Sequence, residues 1–152
     1  MRKKKEKSKR LIIVSRLLFV LYMLCVLYFL LVSEGFGRTN GGVYRYNLEP
    51  LAEIKRFYNM LGGTRTYKAV LNLFGNIVCF MPFGLFVPYI FKRKISFIKV
   101  VFTTFMFSLC IEVIQLYFMI GIFDVDDLIL NTIGGALGYV VYAVLNIIRN
   151  DD

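Results

Sequence analysis

FDVDDLILNTIGGALGY, residues Phe123 to Tyr139, decides how this chain is read. Three carboxylates, Asp124, Asp126 and Asp127, stand directly against a long apolar run. Asn131 follows Asp127 by one helical turn, and Gly134, Gly135 and Gly138 come after it. Ionisable groups next to hydrocarbon are costly and tend to mark function. The run behind them reaches the roughly 20 residues that a bilayer-spanning helix needs.

Three more runs have that length. The four predicted spans are about 11–32, 69–91, 95–120 and 128–148. They form one membrane domain, 11–148, with an outer loop at 33–68 and no room for a separate soluble domain. Short tails at 1–10 and 149–152 flank it. The chain has 152 residues, of which 58% are hydrophobic and 16% aromatic, and its mean hydropathy is +0.64. Soluble domains are nearer half apolar and do not gather those residues into such runs.

The net charge of +9 does not point to nucleic acid, because of where it lies. The densest block, MRKKKEKSKR, directly precedes the first span. A juxtamembrane basic segment meets anionic headgroups first, or serves as a topology signal. The apolar stretch after it exceeds the 7–15 residues, roughly, of a signal-peptide core, so it reads as a retained span. Cys25, Cys79 and Cys110 fall in three different spans, with no Cys-x-x-Cys. Neither a disulfide framework nor a zinc site follows. Histidine is absent, which removes the usual general base.

Lys/Arg placement sets the orientation. The N-terminal block, the Lys92-Arg93-Lys94 turn and Arg149 share one side; the other has scattered cations in a long loop. The fold class is therefore an all-α polytopic membrane protein with four transmembrane helices, N-in and C-in. In the outer loop, Leu48, Leu51, Ile54, Phe57, Tyr58 and Leu61 make a helical stripe. Asn47 can cap that helix, and Pro50 suits its first turn. An extracytoplasmic amphipathic helix follows, lying on the membrane or packed over the bundle end. In the second span, Pro82 should kink or break the helix.

The polar residues within the spans fall into helical sets: Asn72 and Asn76; Ser108, Glu112 and Gln115; Asp127 and Asn131. Spacing of three, four or seven puts each set on one face. The topology places all of them in the outer half. At about 1.5 Å per residue, Glu112 lies roughly 12 Å below the outer end of its span and Asn76 roughly 10 Å. A polar pocket open to the outside is the economical reading. It is formed by Asn72, Asn76, Ser108, Glu112, Gln115, Asp124, Asp127 and Asn131. Helix-joining hydrogen bonds explain the amides equally well, and Gly134 with Gly138 offers a face for close helix approach. Glu112 is harder to explain that way, since no Lys or Arg shares its depth. Asp124, Asp126 and Asp127 could bind a divalent cation, grip a cationic or hydrogen-bonding ligand at the surface, or cap the last span.

Together these motifs resemble a known family. Asn72-x-x-Gly75-Asn76 with FMPFG after it, Ser108-x-x-x-Glu112-x-x-Gln115, and Asp124-x-x-Asp127-x-x-x-Asn131-x-x-Gly134-Gly135 look like the VanZ-like family of small bacterial membrane proteins. Asn47-Leu48-x-Pro50-Leu51-x-Glu53-Ile54 is similar to it too. Many members carry an Arg shortly before the Asp motif; here Ile120, Gly121, Ile122 and Phe123 stand there. The resemblance implies a role at the bacterial cytoplasmic membrane and in low-level resistance to the glycopeptide teicoplanin. Three functions compete. One is a non-enzymatic protein that binds a lipoglycopeptide or a lipid-linked wall precursor. The second is an intramembrane enzyme with Glu112 as general acid or base. The third is a small transporter or partner subunit, homo-oligomeric through the glycine face. Membrane lipids are partners in each, and no cofactor is called for.

Overall fold

The computed structural model describes residues 2–31, 43–60, 66–91 and 95–150. The order is α1 (Arg2–Leu31), β1 (Tyr46–Asn47), α2 (Ala52–Met60), α3 (Thr66–Ile90), α4 (Phe97–Tyr117), β2 (Phe123–Asp124) and α5 (Val125–Asn150). The irregular segment expected after the first span, the Leu61 end of the outer stripe and the Lys92-Arg93-Lys94 turn lie outside the described residues.

Four helices are long and apolar enough to cross a membrane: Ile13–Leu31, Asn72–Ile90, Phe97–Tyr117 and Val125–Ile148. Only 6% of the first window is buried against 33% of the last, so α5 is the centre of the bundle and α1 its periphery. α5 packs chiefly on α3 and then on α4, while α1 leans on α3. Apolar side chains such as Leu17, Leu24, Val78, Phe102 and Val113 point outward, as helices facing lipid require.

Glycines permit the tight α3–α5 contact. A Cβ on Gly134 would strike the Ile77 carbonyl oxygen, on Gly138 that of Met81, and on Gly84 that of Gly135. The glycine face expected to admit another helix is therefore filled by α3 of the same chain. Gly135 meets Thr104 of α4, and the Thr104 hydroxyl turns back to donate to the Val100 carbonyl at 2.8 Å. Below this seam lie Phe83, Val87 and Val100, with Phe83 stacked on Phe107 at 5.0 Å.

α3 runs unbroken through Pro82 and Pro88, where an interruption was expected. Pro82 cannot donate to the carbonyl four residues back. The next carbonyl, that of Cys79, accepts from the Tyr22 hydroxyl at 2.7 Å, so α1 supplies a polar partner at the weakened turn.

α4 stops at Tyr117, short of the predicted Ile120. Its end is a Schellman-type turn, with Met119 N–H on Leu116 O at 3.1 Å and Ile120 N–H on Gln115 O at 3.0 Å. Met119 occupies the left-handed position at φ 54°, which usually falls to glycine.

The two-residue strands pair in parallel, Tyr46 with Phe123 and Asn47 with Asp124. Pairing this short carries no hydropathy signal. It ties the α1–α3 connection to the α4–α5 turn at one end of the bundle. At the other end, Tyr139 donates to Ile95 O at 3.2 Å and Tyr89 meets Tyr142 edge-on at 4.9 Å.

α2 begins at Ala52, later than the predicted start at Leu48. Asn47 does not cap it. Its Oδ1 accepts from Glu49 N–H at 3.2 Å, an Asx turn, and the first helical acceptor is Leu51 O, bonded by Lys55 N–H at 2.9 Å. Leu51 has φ 63°, a left-handed conformation that costs an L-residue about 1–2 kcal/mol. α2 rests against α3, with Tyr58 exposed.

Candidate functional site

The acidic stretch Asp124–Asp127 organises the end of the bundle where the strands meet. Asp124 ends β2, and α5 starts with the next residue. The Asp124 carboxylate accepts from Asp126 N–H at 2.9 Å, satisfying one orphan donor of the helix start. Both of its oxygens face Asn47 Nδ2 at 3.2 Å. Its own backbone N–H donates to Glu112 Oε2 at 3.0 Å. One residue thus joins the α1–α3 connection, α4 and α5.

Asp126 and Asp127 diverge from that centre. Asp126 is buried, and its carboxylate receives the Leu51 N–H at 2.5 Å. That bond pins the strained residue directly before α2. Asp127 receives Asn76 Nδ2 at 2.5 Å, linking α3 to α5. One turn deeper, Asn131 Nδ2 donates to Ser108 Oγ at 2.8 Å, and both residues are buried. The polar stripes of α4 and α5 therefore face each other, with Asn76 alongside from α3.

Of the eight residues read from the sequence, six come together here: Asn76, Ser108, Glu112, Asp124, Asp127 and Asn131. Two do not join them. Gln115 Nε2 donates to the Leu30 carbonyl at 2.8 Å, fastening α1 to α4. Asn72 is half-buried and makes no hydrogen bond to a described residue. Asn47 is the member that spacing did not reveal; its sign was a polar residue in the Asn47-x-x-Pro50 segment.

The set Asp124, Asp126 and Asp127 does not converge as cation ligands would. Each carboxylate is aimed at a different partner. Among the described residues, no group of three acidic or cysteine side chains is gathered where an ion could sit.

Outside the spans, Lys55 Nζ bonds the Glu49 carboxylate at 2.8 Å across an open depression on α2. The hydrogen bond and the charge of Lys55 hold the exposed Glu49 carboxyl below its ordinary range. The same contacts raise Lys55 above its own.

Four apolar helices and a carboxylate–carboxamide cluster at one end of the bundle define an integral membrane protein with an end-on polar site. The chain belongs to the VanZ/LLP1 family, whose model matches residues 19–146. It is similar to Protein VanZ of Enterococcus faecium, with 34% identity over 116 residues, covering 68% of this chain and 71% of that protein. No solved structure matches the chain significantly.

Proposed function

We propose that this chain sits N-in and C-in in the cytoplasmic membrane of a bacterium, with the polar end of the bundle facing outward. There it binds an amphiphilic ligand, either the lipid tail and adjoining polar groups of a lipoglycopeptide or a lipid-linked wall precursor. Such binding would contribute to protection against teicoplanin. The basic residues of the N-terminal tail and of the α3–α4 turn support this orientation under the positive-inside rule. The observation that carries the reading is Glu112. It is 2% exposed on a predominantly apolar helix and is aimed at the Asp124 turn. A carboxyl group kept there costs stability that an apolar side chain would not, so a binding role accounts for it.

The test uses a susceptible Gram-positive host expressing the chain, challenged with teicoplanin. Glu112→Gln and Asp127→Asn should each lose protection at unchanged abundance in the membrane. Full protection in both variants would remove the polar end from the function.

A further inference from the structure

Two buried acceptors on the facing stripes of α4 and α5 are short of donors. Among the described residues, Glu112 accepts a single hydrogen bond, through Oε2 from Asp124 N–H. A carboxylate has about four acceptor positions. No described cation pairs with it, and the charged groups within electrostatic reach of it are Asp127 and Asp124. Asn131 is 3% exposed, and its Oδ1 has no hydrogen-bond partner among the described residues. Asn131 lies one turn below Asp127, and Ser108 lies one turn below Glu112. The Asn131–Ser108 and Asp124–Glu112 bonds hold these turns opposite one another, so the unpaired oxygen belongs to the turn next to the one that Glu112 faces.

Buried acceptors in native proteins are paired, with protein, water or ligand. What is missing here has a definite chemistry. Glu112, Asp127 and Asn131 Oδ1 all accept, so a phosphate or carboxylate would meet like charge and no donor. A quaternary ammonium has charge but no N–H. A protonated primary amine has one positive charge and three donors, enough for a carboxylate and an amide oxygen together.

Resting on the binding reading above, we infer that the α4–α5 interface holds the protonated primary amine of an amphiphile, with Glu112 as counter-ion and Asn131 Oδ1 as second acceptor. That amine can belong to a lipid headgroup or to an amphiphile arriving from water.

The test takes the full chain in phosphatidylcholine nanodiscs and titrates it with decylamine and with decyltrimethylammonium. Decylamine should bind about tenfold or more tightly, because a site built around hydrogen bonds rejects an analogue that cannot make them. The preference should vanish in Glu112→Gln, weaken in Asn131→Leu and survive in Glu112→Asp, with helix content unchanged. A second arm adds phosphatidylethanolamine and measures its retention by native mass spectrometry. Variant-sensitive retention assigns the amine to a lipid headgroup. Decylamine selectivity without it assigns the amine to a water-borne amphiphile, and both results uphold the site. Equal binding of the two decyl compounds, or a preference that persists in Glu112→Gln, overturns it. Amine selectivity with undiminished teicoplanin protection in Glu112→Gln would uphold this site and reject the proposed function. Lost protection without amine selectivity would do the reverse.

Discussion

Gly84→Ala puts the bundle architecture to a quantitative trial. Gly84 of α3 faces the backbone of Gly135 in α5. A Cβ added there would fall on the Gly135 carbonyl oxygen, with the carbonyl carbon 2.7 Å away where ordinary contact begins at 3.4 Å. The obstacle is helix backbone, which cannot turn aside like a side chain, so α3 and α5 must part to admit the methyl group. Overpacking of this kind costs about 1–3 kcal/mol. Gly75 is the internal control, because a Cβ there meets nothing within 4 Å. Gly75→Ala should be neutral or gain up to about 1 kcal/mol from helix propensity. The assay is thermal unfolding of the purified protein in detergent, followed by circular dichroism. For a chain of this size, each kcal/mol moves the midpoint by about 2–4 °C. Parting the helices also stretches the 2.5 Å Asn76–Asp127 bond, so teicoplanin protection should fall in Gly84→Ala and hold in Gly75→Ala. Equal midpoints for the two variants would refute the close packing of α3 on α5.

Other perturbations separate the roles of individual residues. Ser108→Ala leaves the Asn131 amide without its acceptor and should cost about 1–3 kcal/mol, measured by the same unfolding; adding Asn131→Leu should restore most of it. Gln115→Leu removes the tie to Leu30 O and should cost around 1 kcal/mol or less while leaving teicoplanin protection intact, since the Gln115 amide bonds α1 and not the carboxylate–carboxamide cluster. Glu49 has a folded pKa below its ordinary 4.5, so its contribution to α2 is present above that value and lost as pH falls through the lowered one. Amide-exchange protection of α2 should decline below about pH 4.5 in the native chain, and the decline should be absent in Glu49→Gln.

The spans were legible because hydrocarbon imposes length and composition that few soluble folds share. Ser108, Glu112, Asp127 and Asn131 were legible because helical spacing places the few polar residues of otherwise apolar runs on single faces. What spacing cannot give is the partner. Gln115 shares a face with Ser108 and Glu112 at seven and three residues, yet its amide reaches the Leu30 carbonyl of α1. The pairing of Asn47 with Asp124 joins residues 77 apart through a two-residue strand, too short for any periodicity. Pro82 lacks the backbone donor that continues a helix, yet α3 runs through it, with Tyr22 of α1 bonded to the neighbouring Cys79 carbonyl. Gly134 and Gly138 announced a close helix contact correctly in kind, but a small-residue face does not say whether its partner is another chain or the same one. Leu51 and Met119 give no sequence sign of left-handed backbone; tertiary hydrogen bonding holds the first and the helix-terminating turn the second.

The central claim is that the outward polar end, centred on Glu112, binds an amphiphile. Its most direct test is binding of fluorescently labelled teicoplanin to the purified full chain in phosphatidylcholine nanodiscs, native protein beside Glu112→Gln. Saturable binding weakened about tenfold or more by the substitution is the expected result, as loss of a buried charged partner implies. Binding of equal strength in the two proteins, or no binding to either, would contradict it.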